Sequence, residues 1–165
     1  MILPFKLEAM TPKEIKELVS TMYLSRIAFK GDKFPYIAPF QYVYMNGTLY
    51  FHFAAYGRKM EYLADDPDVC VEIENYNSDM SQYQFVTFCG TLEIVHEPIE
   101  KEEVVRALAD AANQALFSKK FLAAHGFNSD MEWNSFQGNQ AFEVIKLVNI
   151  TKITGLRSPQ GNEWG

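Results

Sequence analysis

Residues 36–54 read YIAPFQYVYMNGTLYFHFA. Two runs rich in aromatic and β-branched residues, Tyr36–Tyr44 and Thr48–Ala54, flank the pair Asn46-Gly47. That pair is favoured in a tight type I′ hairpin, because both central residues take positive φ there. The stretch is therefore expected to form two adjacent antiparallel strands. Its alternation is unusual. On the second strand Leu49, Phe51 and Phe53 take one face and Tyr50, His52 and Ala54 the other. On the first, Ile37, Pro39, Gln41 and Val43 oppose Tyr36, Ala38, Phe40, Tyr42 and Tyr44. A sheet with one wet face alternates apolar and polar residues; here both faces are largely apolar or aromatic, so both are expected to be covered. In a barrel one face would fill the interior, and a cofactor held between subunits would cover the other.

Arg26–Phe29 lies upstream of the hairpin, separated from it by a turn at Lys30–Lys33, and Val69–Glu74 and Gln84–Val95 lie downstream as further strands. Five strands within residues 25–95, joined by antiparallel turn chemistry, predict a small barrel or sandwich. A helix over residues 11–23 precedes them. Thr11-Pro12-Lys13-Glu14 reads as a capping box with Pro at the first helical position, and Ile15, Leu18, Val19 and Met22 form one apolar face. A helical insert is expected over residues 100–126, with Val104, Leu108, Ala111 and Ala115 as its stripe and Gly126 as its stop. A polar loop over 128–140 leads to a last strand over 141–154 that ends at Gly155, followed by a tail, Leu156–Gly165. The 165 residues read as a single domain.

Hydrophobic content of 48% and charged content of 22% suit a globular chain with a real core. The 15% aromatic content is high, and suggests rings buried against a ligand or a second subunit. A net charge of −6 gives no broad field for nucleic acid. No apolar run approaches the ~18 residues of a membrane span, and the opening MILPFKLEAM has no leader pattern, so a cytoplasmic location is expected. Cys70 and Cys89 fall in strands with no metal-ligand spacing and are expected to be buried, reduced thiols. His52, His96 and His125 are far apart and give no zinc signature. Asp65-Asp66 and Glu100–Glu103 read as charge at helix ends, so no metal site is expected. The Gly-rich fingerprints of dinucleotide folds and P-loops, and the nucleophile elbow of α/β-hydrolases, are missing.

The site candidates lie at the end of the hairpin. Gly57 is expected to start a turn, and Arg58–Ala64 a short helix stopped by Asp66-Pro67. Cations in a first helical turn are disfavoured by the helix dipole. Arg58 and Lys59 make better sense if an anion sits there, held by free N–H groups and both side chains; a solvated basic pair in a loop is the other reading. His52 is either a proton-handling residue or a hydrogen-bonded packing residue. Gln41 offers both a donor and an acceptor to a polar ring edge, unless it is merely a surface glutamine.

The series Pro35-Tyr36-Ile37-Ala38-Pro39, Asn46–His52, Gly57-Arg58-Lys59, Leu63, Asp66-Pro67 and Val69 resembles the FMN-binding split-barrel family. That family includes pyridoxamine 5′-phosphate oxidase, and the likeness is strongest to the branch containing nitroimidazole reductases. The resemblance covers residues 22–95. It implies a mainly β fold, a six-stranded antiparallel Greek-key split barrel with flanking helices, and a homodimer with the cofactor at the subunit interface. By the same resemblance Arg58 and Lys59, with Gly57, would bind the FMN phosphate. Ala38, Pro39, Phe40 and Gln41, together with Phe51, His52, Phe53 and Ala54, would line the ribityl chain and ring. Gln84 would reach the flavin of the partner subunit, although Phe85 stands where the family often carries a small polar residue. The substrate-binding arginine and histidine of true pyridoxamine phosphate oxidases find no clear match in Leu156–Gly165, so vitamin B6 chemistry is not expected. The implied activity is an FMN-dependent oxidoreductase acting on a small aromatic or nitro-type substrate, with His52 as candidate catalytic residue. FAD, a deazaflavin or haem are the alternative cofactors, and a non-catalytic storage or sensor module is the alternative function.

Overall fold

The computed structural model describes residues 6–118, 120 and 142–159. In chain order the elements are β1 (Glu8–Ala9), α1 (Pro12–Thr21), β2 (Leu24–Phe29), β3 (Tyr36–Met45), β4 (Thr48–Ala54), α2 (Arg58–Asp65), β5 (Asp68–Tyr76), β6 (Tyr83–Ile94), α3 (Pro98–Gln114) and β7 (Phe142–Arg157). Antiparallel pairing runs β7, β4, β3, β2, β5, β6, and β6 returns to β7 to close a six-stranded barrel. The short β1 pairs with the far end of β7.

The hairpin forms as its turn chemistry requires. Asn46 and Gly47 have φ of 50° and 82°, and Met45 pairs with Thr48. Side chains of alternating parity then fill the barrel: Leu49, Phe51 and Phe53 from β4, Phe40 and Tyr42 from β3, and Val69, Val71 and Ile73 from β5 are all buried in one cluster. Helix α1 adds Leu18 and Val19 to that cluster. Its capping box is complete, with Thr11 N–H donating to Glu14 Oε2 at 2.7 Å and Glu14 N–H donating to Thr11 Oγ1 at 3.3 Å. The buried Tyr42 hydroxyl donates to the Val19 carbonyl at 2.8 Å and so ties α1 to the barrel.

Part of the hairpin's second apolar face, around Val43 and Tyr50, is covered by helix α3, while Ile37 and Pro39 of the same face stay exposed. Val43, Tyr50, Phe142 and Val144 pack against Val104 and Leu108 of α3. Polar contacts fix the same helix. Gln41 Nε2 donates to the Leu108 carbonyl at 3.0 Å, the Tyr50 hydroxyl donates to Glu100 Oε1 at 2.9 Å, and Lys146 Nζ lies 3.2 Å from the same carboxylate oxygen.

Two boundaries differ from expectation. Helix α3 begins at Pro98, because the Glu97 side chain accepts from Glu100 N–H at 2.8 Å and caps the helix earlier. It ends at Gln114; the expected stop at Gly126 and the loop over 128–140 lie outside the described residues. Strand β7 passes through Gly155 to Arg157. A Cβ at Gly155 would come within 2.8 Å of Ile15 Cγ1, so the glycine marks close packing of α1 on the strand and not its end.

The cysteines also depart from expectation. Val69 and Val71 take the inward positions of β5, which leaves Cys70 outward and exposed, with Cys89 half-buried opposite it on β6. Among the described residues no helix is long and apolar enough to cross a membrane, and no group of three or more metal-ligating side chains occurs.

Candidate functional site

The β3–β4 ladder runs from Met45–Thr48 to Tyr42–Phe51 and stops there, although β3 extends back to Tyr36 and β4 on to Ala54. Beyond that point each strand pairs only with its other neighbour. Tyr36–Gln41 pair with β2, and His52–Ala54 pair with Phe142–Val144 of β7. The barrel is thus split, and its two lips are Ala38–Gln41 and His52–Ala54. These lips contain eight of the expected cofactor residues once Phe51, at the last rung, is included.

Their side chains divide by parity. Phe40, Phe51 and Phe53 point inward and are buried at 8%, 0% and 0% exposure. An external ligand at the split meets them through main chain alone. Pro39 is exposed, His52 and Ala54 are half-buried, and Gln41 is buried under α3 with its amide engaged by Leu108. The His52 ring lies edge-on to Phe142, with centroids 6.5 Å apart.

Helix α2 starts directly after the β4 lip. Gly57, at φ 92°, takes a backbone conformation rarely open to residues with a Cβ and supplies no side-chain cap. Met60 N–H and Glu61 N–H both turn back to the Gly57 carbonyl, at 2.9 and 3.4 Å. The N–H groups of Arg58 and Lys59 meet no acceptor among the described residues. The far side of the helix is firmly held. Leu63 is buried in the barrel cluster, and Tyr62 stacks on Tyr36 with centroids 5.3 Å apart. Asp66, at the C-terminal end, accepts from Asp68 N–H at 3.0 Å and from Lys30 Nζ at 2.9 Å; the lysine contact holds its carboxyl below the usual range.

The two cations lack such partners. Arg26, Lys30, Lys146 and Arg157 each lie beside at least one carboxylate. Arg58 and Lys59 reach none among the described residues. Arg58 is exposed, while Lys59 is half-buried, and burial holds its ammonium below the ordinary lysine value. A desolvated cation without a counter-charge, next to unsatisfied N–H groups at a helix start, favours an anion electrostatically. Arg58 also lines a cleft of about 750 Å³ whose walls mix Lys30 and Lys33 with the carboxylates of Asp32, Glu61, Asp65 and Asp66.

Gln84 is not brought to this place within one chain. It pairs with Arg157 at one end of the 16-residue β7, whereas the lip residue Ala54 pairs with Phe142 at the other. The stacked pair Tyr36–Tyr62 was not singled out from sequence. Met60 and Leu63, at i and i+3, turn one side of α2 toward the barrel, and Tyr62 lies beside that face against Tyr36.

Fold and site define a split-barrel protein with a basic helix start at the mouth of the split. The sequence model of the pyridoxamine 5′-phosphate oxidase family matches residues 11–125, and the chain belongs to that family. No curated protein matches by sequence. Solved structures share the fold. An FAD-binding protein from Mycobacterium smegmatis superposes with a TM-score of 0.61 at 18% identity, over 92% of this chain and 100% of that one. An FAD- and haem-binding protein from the same organism gives 0.67 at 15% identity, over 94% and 74%. A provisionally assigned 5-nitroimidazole antibiotic resistance protein from Bacteroides thetaiotaomicron gives 0.64 at 17% identity, over 94% and 92%.

Proposed function

We propose that this chain is a flavoprotein that holds FMN with its phosphate at Gly57-Arg58-Lys59 and its ring along the split. The carrying observation is Lys59, a half-buried cation with no carboxylate partner among the described residues, beside the open N–H groups of α2. The lips Ala38–Gln41 and Phe51–Ala54 suit a flat ring because their ladder is interrupted while their aromatic side chains brace them from inside. A bound flavin would supply hydride and electron transfer.

The protein's own part is positioning, charge and exclusion of water. Arg58 and Lys59 neutralise the phosphate, and the main chain of both lips orients the ring. His52, on the outward side of the β4 lip, is the candidate to hold a proton for a bound acceptor. Gln84 joins the site only if a second copy supplies it, so the working form in this reading is a homodimer. The exposed Ile37 and Tyr56, at 60% and 74%, flank the split as apolar surface for that partner. The acceptor class is a small aromatic or nitro-type molecule. Vitamin B6 phosphate is not proposed: the one arginine of Leu156–Gly165, Arg157, is already held by Glu8 at 2.9 Å and Glu14 at 3.2 Å.

FMN and FAD share the inner phosphate, and two similar structures are named as FAD-binding. The cleft beside Arg58 is a poor place for the second phosphate of FAD, because Asp32, Glu61, Asp65 and Asp66 line it and Lys30 is already held by Asp66 at 2.9 Å. FMN is therefore the preferred reading. The testing experiment is the absorption spectrum of the purified protein with mass spectrometry of its extracted cofactor. A flavin spectrum bleached by NADH or NADPH and restored by a nitroaromatic supports the enzyme. A stable flavin spectrum without turnover supports a binding module, and a Soret band or a protein that stays colourless after incubation with FMN counts against the proposal.

A further inference from the structure

Cys70 and Cys89 face each other across the β5–β6 ladder, and their sulfurs are 3.0 Å apart without being bonded. Directly opposed residues in antiparallel strands have Cβ atoms ~4.5–5.5 Å apart, close to what a disulfide needs. Closing the bond to the usual ~2.05 Å requires the sulfurs to approach by only about 1 Å. The pair is reachable. Both cysteines line a pocket of about 410 Å³ whose other walls include Lys30, Asp68, Thr91 and Thr151. Lys152 of β7 pairs with Cys89 and is close enough to favour the Cys70 thiolate, although the hydrogen bond with Cys89 holds the Cys70 thiol above its ordinary value. No third metal-ligating side chain joins the two among the described residues, which argues against a metal centre.

We propose that Cys70 and Cys89 form a reversible cross-strand dithiol–disulfide site for small disulfides of the glutathione class that enter this pocket. The thiolate of Cys70, the more exposed residue of the two, attacks one sulfur of the small disulfide; an S–S bond forms and the first small thiolate leaves. Cys89 then attacks the Cys70 sulfur of the mixed disulfide and expels the second. The protein dithiol is oxidised by two electrons, the small disulfide is reduced to two thiols, and the two protons lost by the cysteines end on those thiols. The new bond would tie β5 to β6 beside Gly90, where the β6–β7 register shifts. The site is independent of the flavin reading.

The test is incubation of the native full-length protein with mixtures of oxidised and reduced glutathione, read by intact mass. The expected product has lost two hydrogens, carries no glutathione, migrates as a single chain on a non-reducing gel and returns to the starting mass with dithiothreitol. Cys70→Ser and Cys89→Ser are each expected to stop at one glutathione adduct. Two persistent adducts on the wild type, a cross-link between chains, or thiols that react only after unfolding would overturn the proposal.

Discussion

Phe40 and Phe53 pack with ring centroids 4.6 Å apart across strands that no longer share a ladder at that point. Side chains therefore hold together two lips that the backbone leaves apart. Phe53 is fully buried and also meets Phe29 edge-on at 6.1 Å. Phe53→Ala is expected to cost about 3–5 kcal/mol by lost burial and cavity formation. Urea denaturation measures this as a lower midpoint at unchanged slope. A loss below about 1 kcal/mol would show that the rings do not brace the split.

Helix α3 stands on the hairpin through Gln41. Its amide donates to Leu108 from a site only 5% exposed. Gln41→Ala removes the donor and is expected to cost about 1–3 kcal/mol. Hydrogen exchange should locate the loss in α3, with protection of β5 and β6 little changed. Uniform loss across the barrel would contradict a local role.

Tyr50 gives the fold an alkaline limit. Burial and the hydrogen bond to Glu100 push its phenol from 10.0 up to about 12. The unfolded phenol ionises first, so the native state binds more protons between these values and stability falls as pH rises. The contribution is whole below about pH 10 and is lost from about pH 10 to about pH 12. Denaturation midpoints across that window should fall less steeply in Tyr50→Phe than in the wild type. Equal slopes would mean that Tyr50 is not the titrating group. Tyr42, also pushed up by burial, adds to the residual slope.

Gly155 is expected to resist substitution. Gly155→Ala places a methyl group 2.8 Å from Ile15 Cγ1 and 3.1 Å from Met10 Cβ. Overpacking of this kind costs about 1–3 kcal/mol. Thermal unfolding tests it, and a smaller cost of Gly155→Ala in an Ile15→Ala background, which lacks both clashing carbons, would identify the clash. A neutral Gly155→Ala would refute close packing of α1 on β7.

Much of this was legible because local chemistry decided it. Asn46-Gly47 set the hairpin, Thr11 and Glu14 set the start of α1, and Gly57 through Asp66 marked α2 within a residue of its observed bounds. What covers a two-faced strand was not legible, since an apolar outer face suits a helix, a ligand or a partner equally. Over the Val43 and Tyr50 part of that face the chain uses α3, through contacts such as Gln41–Leu108 that join residues 67 apart in sequence. Gly155 could be read as a terminator or a packing residue, and only the approach of Ile15 decides. The outward parity of Cys70 was readable from Val69, Val71 and Ile73, but its pairing with Cys89 depended on a register that no single strand encodes.

The central claim is that Arg58 and Lys59 hold a flavin phosphate. Its most direct test is the flavin affinity of Arg58→Ala/Lys59→Ala beside Lys13→Ala/Lys16→Ala, a control of equal charge change on α1. Two lost charge-assisted contacts at about 1.5 kcal/mol or more each predict at least a hundredfold weaker FMN binding, with thermal stability of the flavin-free protein retained. The control should bind FMN as the wild type does. Equal flavin affinity in both variants would contradict the account.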